Sequence, residues 1–138
     1  MGFWFPASNI AFQGPHGDPE PSGSIFYYKV LTICTAILKA CTHVLHCGQL
    51  AIFTNNLNTV QLFNSLMALP SMNWMVILAV DSLMTCNIYW QVFHISGVHN
   101  VVANCISHLK NCEAIQASLG LTIQPFQPPQ SMLGAAQK

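Results

Sequence analysis

Residues 50–60 read LAIFTNNLNTV, and this stretch decides the fold. The run from Leu50 to Thr54 is short and apolar, which is typical of a strand buried in the centre of a sheet. Asn55 to Asn58 end the strand, and apolar spacing then predicts a helix from about Thr59 to Met67. A buried strand that leads into a helix is the repeating unit of α/β proteins, so the stretch predicts that class.

The strongest helix pattern precedes this stretch. Apolar residues recur at spacings of three and four between Ser24, which can cap the helix, and Gly48, which stops it. Further upstream, Phe3–Phe5 and Ile10–Phe12 predict the two strands of a hairpin. Residues 14–24 are rich in Pro and Gly and predict a loop.

The elements continue to alternate downstream. We predict a helix over Asn73–Thr85, a strand over Ile88–Phe93 and a helix from Val101 to about Leu109, with Asn100 as its N-cap. From Leu121 onward, three prolines and small polar residues predict an extended linker. The sequence therefore predicts an α/β domain with a mixed sheet over residues 1–120 and a tail over 121–138.

Composition excludes several classes of protein. The chain has 138 residues, of which 52% are hydrophobic and only 6% are charged, with four lysines and no arginine. Disordered chains combine low hydrophobicity with high charge, and proteins that bind nucleic acid through a basic patch need clustered cations. The chain fits neither class. No stretch reads as about 20 unbroken apolar residues, and the best candidate, residues 25–45, carries Lys29 and Lys39. The overall hydrophobicity nevertheless leaves a small membrane-associated protein as an alternative.

The six cysteines form no CxxC pair, and the N-terminus does not have the pattern of a secretory signal. We therefore expect reduced thiols and favour an intracellular setting. Cys41, His43, His46 and Cys47 are of types that bind Zn²⁺, but their spacing fits no standard finger, and a zinc site is not favoured. His94 is interpreted as a residue at the end of a strand.

Three segments read IFTNNLNTV (residues 52–60), HISGVHNVVANCISH (94–108) and IFYYKVL (25–31), and together they resemble the ribonuclease H domains of retroelements. Residues 2–6 and 120–129 resemble the forms carried by fungal retroelements. Residues 52–60 resemble the family's (I/V)-(Y/F)-T-D-x-x-x-x-V, and residues 94–108 resemble its signature H-x-P-G-x-x-N-x-x-A-D-A-L-S-R. Residues 25–31, IFYYKVL, resemble the start of the family's first helix, F-F-x-E-A-L. The resemblance covers almost the whole chain, and the signature is its most specific part.

This resemblance implies a ribonuclease H-like mixed sheet flanked by helices. The family cleaves the RNA strand of RNA–DNA hybrids, and its four carboxylates hold two Mg²⁺ ions about 3.5–4 Å apart. Carboxylates are needed because Mg²⁺ prefers oxygen ligands and because negative charge must offset two close divalent ions.

The family's site residues are changed in this chain. Lys29 stands where the family has a helix glutamate, Asn55 where it has the aspartate at the end of the central strand, and Asn104 where the last helix has an aspartate. We expect the chain to begin after the strand that carries the fourth carboxylate. Lys29 would place a positive charge where Mg²⁺ binds. We therefore predict a pseudoenzyme, with no catalytic, cofactor-binding or metal-binding residue.

The missing strand also affects the predicted fold. In the family it lies between the hairpin and the strand that corresponds to Leu50–Thr54. Without it, either the hairpin pairs with that strand or the sheet stays split with exposed edges.

The resemblance leads to one interpretation and two alternatives. The interpretation is an inactive remnant of a retrotransposon ribonuclease H domain, which at most binds RNA–DNA hybrids weakly and takes no small-molecule substrate. The alternatives are a recruited non-catalytic module that binds nucleic acid or protein, and a small membrane-associated protein. The oligomeric state is left open.

Overall fold

The computed structural model describes residues 1–14, 24–43, 48–65 and 70–127. Within them the strands are β1 (Gly2–Phe5), β2 (Ile10–Gln13), β3 (Gln49–Thr54), β4 (Tyr89–His94) and β5 (Thr122–Pro125). The helices are α1 (Ser24–His43), α2 (Leu57–Ser65), α3 (Pro70–Thr85), α4 (Val101–Ser107) and α5 (Asn111–Ala117). A single 3-10 turn, Gly97–His99, precedes α4.

The described strands form two separate sheets. In the first, β1 and β2 are an antiparallel hairpin with Phe3 opposite Phe12, and β5 runs parallel to β2 on its other side. In the second, β3 and β4 are a parallel pair with Phe53 opposite Phe93. The predicted mixture of helices and strands is confirmed, and of the two arrangements considered above, the described strands adopt the split one.

Asn9 ties the hairpin to the later part of the chain. Its backbone φ is +53°, in the left-handed region that Asn tolerates better than most residues. Its side-chain Nδ2 donates to the Leu119 carbonyl at 2.9 Å, and its Oδ1 accepts from Ser118 Oγ at 2.7 Å. These bonds hold the segment before β5 against the hairpin turn.

Helix α1 supplies the centre of the largest hydrophobic core. Its fully buried Leu31 and Ile37 share that core with Phe63 of α2, Met75 of α3 and Val92 of β4. The α1 face is apolar at spacings of three and four, which explains why the sequence pattern predicted this helix. Thr35, also buried, donates its hydroxyl to the Leu31 carbonyl at 2.8 Å, so its polar group is satisfied within the helix.

Two smaller cores lie under the hairpin. One contains Phe3, Phe12 and Phe126, with the Phe3 and Phe12 rings stacked at 5.1 Å between centroids. The other joins the hairpin to α4 and α5, with Ala11, Ile106 and other buried residues at its centre.

The prediction that β3 is a buried central strand is wrong. β3 lies at the edge of its two-stranded sheet, Ala51 and Phe53 are exposed, and Leu50 and Ile52 are half-buried. An apolar run indicates burial on both faces, but here the helical core covers only the face that carries Leu50 and Ile52.

The prediction of an extended linker from Leu121 is corrected for the residues that the structure describes. Thr122–Pro125 are extended, but they form strand β5 in register with Ile10–Gln13, and Phe126 is buried beside Phe3. Residues 128–138 lie outside the described residues. Pro70 begins α3, where its missing N–H costs no helical hydrogen bond.

Burial of the Cys34 thiol makes this fold less stable at alkaline pH. Cys34 is fully buried in α1, and burial raises the pKa of its thiol to about 12. The unfolded thiol loses its proton near pH 9, whereas the folded thiol keeps it until about pH 12. Unfolding therefore releases a proton in this window, and stability falls as pH rises.

We expect Cys34 to contribute a fall of about 1.4 kcal/mol per pH unit to the free energy of unfolding above pH 9. Urea unfolding of the wild type and of Cys34→Ala across pH 8–10.5 measures it, and the variant should show the shallower slope. Cys112→Ala, at an exposed thiol, is the matched control and should keep the wild-type slope. Equal slopes for the wild type and Cys34→Ala would contradict the prediction.

Candidate functional site

Asn55 and Asn104 meet at one corner of the molecule, although 49 positions separate them in the sequence. Asn55 follows the last residue of β3, and Asn104 lies in α4. The Asn55 Nδ2 donates to the Asn104 Oδ1 at 3.3 Å, and the Asn104 Nδ2 donates to the Gly97 carbonyl at 3.3 Å. We call Asn55, Asn104 and the Gly97 carbonyl the amide corner.

Local capping fixes the β3 side of the amide corner. The Asn56 Oδ1 accepts the Thr59 backbone N–H at 2.9 Å and the Thr59 hydroxyl at 3.0 Å, which satisfies the first turn of α2. Thr54 Oγ1 in turn accepts the Asn56 N–H at 3.3 Å. The chain therefore leaves β3 along a fixed path, and Asn55 is held between the strand and the helix.

The loop after β4 fixes the other side. The Ile95 N–H donates to the Thr54 carbonyl at 2.9 Å, which brings this loop beside the end of β3. A Cβ at Gly97 would lie 3.4 Å from the Asn104 Nδ2 and 3.5 Å from the Asn55 Nδ2, so a glycine leaves room for both amides. Asn100 is the N-cap residue of α4 as predicted, but its side chain makes no capping hydrogen bond.

Lys29, the third position singled out by the sequence, is placed differently. It is half-buried on α1, and its charge acts on the Met1 amino group. Burial, and secondarily the Lys29 charge, lower the pKa of that amino group. Among the described residues, no hydrogen bond links Lys29 to Asn55 or Asn104. The structure thus joins two of the three predicted positions directly.

The amide corner does not fit the Mg²⁺ ions that the family uses. An amide offers one neutral oxygen, and the Asn104 oxygen is already occupied by the Asn55 N–H. A lysine contributes a charge of the wrong sign. Asp81 and Glu113 are the acidic residues in the described ranges, and both are exposed, on α3 and α5 respectively.

The structure describes only some of the remaining residues that the sequence analysis considered as metal ligands or site residues. Cys41 is half-buried in α1, where the Cys86 thiol donates to its carbonyl at 3.9 Å. Burial and then Cys86 raise the pKa of the Cys41 thiol to about 11. The His43 side chain, His46 and Cys47 lie outside the described residues. Nowhere in the described part do three His, Cys, Asp or Glu side chains gather as metal ligands would. His94 is the last residue of β4, as predicted, and is exposed.

Sequence reasoning missed an aromatic pair next to the amide corner. Phe53 and Phe93 lie side by side on the uncovered face of the second sheet, with ring centroids 5.4 Å apart and planes tilted by 23°. Phe53 is 55% exposed and Phe93 38%. The two residues occupy paired positions on the same face of adjacent strands. The sequence alone does not reveal this, because it does not show which strands pair or in which register.

Comparison with known proteins adds no relative. No family model, no curated protein and no solved structure matches the chain. Within the described ranges, none of the helices is both long enough and apolar enough to cross a membrane.

The hydrogen bonds of the amide corner predict that a negative charge at position 104 destabilises the fold. In Asn104→Asp, a carboxylate oxygen replaces the Nδ2 that donates to the Gly97 carbonyl, so two acceptors face each other. We expect the free energy of unfolding, measured in urea at neutral pH, to fall by about 1–3 kcal/mol. The matched control is Asn58→Asp, at an exposed position in the first turn of α2, which should cost little. Equal stability of the two variants would contradict the role of the corner.

Proposed function

We propose that the chain is a catalytically inactive remnant of a retroelement ribonuclease H domain. The observation that carries this proposal is the Asn55–Asn104 hydrogen bond. The resemblance assigned both residues to one metal site. Two residues that are 49 positions apart rarely contact each other by coincidence. Their contact supports the alignment of the chain with that family.

The chemistry of the amide corner supports loss of the family's activity. Phosphodiester cleavage by paired metal ions depends on carboxylates that hold the ions close together. Here two amides hydrogen-bond to each other, so the corner is stable without added positive charge. The described strands form two separate sheets, which agrees with the expectation that the family's central strand, the carrier of a further carboxylate, is not among them.

We expect no cleavage of an RNA–DNA hybrid by this protein in millimolar Mg²⁺. A hybrid labelled on the RNA strand, followed on a denaturing gel, measures the rate against buffer alone. An active ribonuclease H on the same substrate is the positive control. Cleavage of the RNA strand above the buffer rate would overturn the proposal.

Restoring the acids tests the alignment itself. In the variant Asn55→Asp/Asn104→Asp, we expect Mg²⁺ to raise the midpoint of thermal unfolding, because the ion relieves the repulsion of the two neighbouring carboxylates. The control Asn58→Asp/Asn73→Asp makes the same charge change at exposed positions. A similar Mg²⁺ response in both variants, or none in either, would show that the two positions do not form one site.

A second candidate is a non-catalytic module that binds nucleic acid. The observation that favours it is the exposed Phe53–Phe93 pair beside the amide corner. Exposed aromatic rings on a sheet can stack with unpaired bases, and each base contributes about 1–3 kcal/mol. The chain has few cations, so we expect such binding to be weak.

Anisotropy of a labelled single strand and of a labelled hybrid, with and without Mg²⁺, tests this candidate. Phe53→Ala/Phe93→Ala should weaken binding severalfold and independently of Mg²⁺. Leu57→Ala/Val98→Ala, at exposed apolar residues off the strands, should leave it unchanged. No binding by the wild type, or equal loss in both variants, would exclude a stacking role for the pair.

A further inference from the structure

Two cysteine thiols lie side by side against the largest core, although 45 positions separate them in the sequence. Cys41 lies in the last turn of α1, and Cys86 directly follows α3. The Cys86 thiol donates to the Cys41 carbonyl, with 3.9 Å between Sγ and O. The Cys41 thiol is itself hydrogen-bonded to Cys86, and this bond adds to the effect of burial in raising the pKa of Cys41 to about 11. We call Cys41 and Cys86 the thiol pair.

The end of α3 fixes the position of Cys86. The Asn87 N–H donates to the Met84 carbonyl at 3.1 Å, and the Ile88 N–H donates to the Leu83 carbonyl at 2.9 Å. These two bonds, with a φ of +55° at Asn87, form a Schellman motif, which caps the C-terminus of a helix. Ile88 is buried directly after this cap, so the backbone is held on both sides of Cys86.

The packing of α1 fixes the position of Cys41. Ile37, one turn before Cys41, is fully buried in the same core as Ala79 and Leu83 of α3. Both members of the thiol pair pack against this core. Side chains in a close-packed core keep their relative positions, so the ends of the two helices hold the two sulfur atoms near each other.

Access to solvent distinguishes the thiol pair from the other described cysteines. Cys41 and Cys86 are half-buried, whereas Cys34 and Cys105 are buried, where an oxidant in solution does not reach them. Cys112 is exposed on α5. Cysteines that respond to oxidants need solvent access and a second thiol beside the one that reacts first. The thiol pair has both properties.

We propose that the thiol pair is a modification site at which a small disulfide oxidant, such as glutathione disulfide, closes a reversible Cys41–Cys86 disulfide. One protein thiolate attacks a sulfur of the oxidant, which forms a mixed disulfide and releases one thiol. The other protein thiolate then attacks the protein sulfur of the mixed disulfide and releases the second thiol. The two cysteines lose two protons and two electrons in total, and the oxidant is reduced to two thiols.

The surroundings of Cys41 set the order of the two attacks. The thiolate is the attacking species, and burial and the Cys86 thiol both disfavour the thiolate of Cys41. Cys86 therefore attacks the oxidant first. Cys41 attacks second, when the packing of the two helices holds the mixed disulfide beside it.

The Cys41–Cys86 disulfide joins the last turn of α1 to the end of α3, the two helices that share the largest core. A cross-link between positions far apart in the sequence restricts the unfolded chain more than the folded one, so it stabilises the fold. The thiol pair thus couples the stability of this core to the oxidant in its surroundings. This inference rests on the positions of two thiols and does not depend on descent from a nuclease.

Mapping of the disulfide in the wild type is the first test. The full chain is reduced, freed of reductant and incubated with glutathione disulfide at mildly alkaline pH. We expect the number of free thiols to fall by two from six. Peptic digestion in acid, which prevents thiol exchange, should yield Cys41 joined to Cys86. An unchanged thiol count, a lasting glutathione adduct on Cys86, or a disulfide to another cysteine, such as Cys47 outside the described residues, would overturn the proposal.

Thermal unfolding of matched variants is the second test. We expect the oxidised wild type to unfold at least about 5 °C above the reduced wild type, and Cys86→Ser to show no such rise. Cys112→Ser is the control at an exposed thiol and should show the wild-type rise. A cooperative transition of reduced Cys86→Ser establishes that this variant folds. No rise in the wild type, or an equal rise in Cys86→Ser, would overturn the proposal.

Discussion

The packing of α1 holds this fold together. The two sheets share no strand pairing among the described residues, so backbone hydrogen bonds do not connect them. The connection is made by side chains: α1 contributes Leu31 and Ile37 to the core of the second sheet and Ala36 to that of the first. Each large apolar side chain buried in this way contributes about 1.5–3 kcal/mol. Loss of α1 would therefore remove this apolar connection and leave the Asn55–Asn104 hydrogen bond between the halves.

What could be predicted from the sequence is local. The spacing of apolar residues in α1 and the hairpin around Asn9 depend on neighbours in the chain, and both were located within a few residues. The position of β3 in its sheet and the pairing of β5 depend on distant partners. Thr122–Pro125 contains two polar residues and a proline, and only its alignment with Ile10–Gln13 makes it a strand. No local pattern carries that information, since pairing is a tertiary property.

The candidate site, like the fold, could be predicted from the sequence only in part. Asn55 and Asn104 were singled out by resemblance, and the structure brings them together because the loop after β4 is bonded to the end of β3. Lys29 was assigned to the same site, but the interaction that the structure shows for it is the effect of its charge on the Met1 amino group. The exposed Phe53–Phe93 pair was missed because an apolar run predicts a strand that is buried on both faces, whereas one face of this sheet is exposed.

Low charge and open edges are physically connected in this molecule. Proteins commonly block exposed edges with lysine, which is costly to bury against an incoming strand. This chain has four lysines, and Lys39 lies over the Phe12 ring, 5.3 Å from its centroid, rather than on a strand. The amide corner is also neutral, because Asn55 and Asn104 bond to each other. A corner that is satisfied in this way needs no counter-ion, since neutral amides leave no charge unmatched.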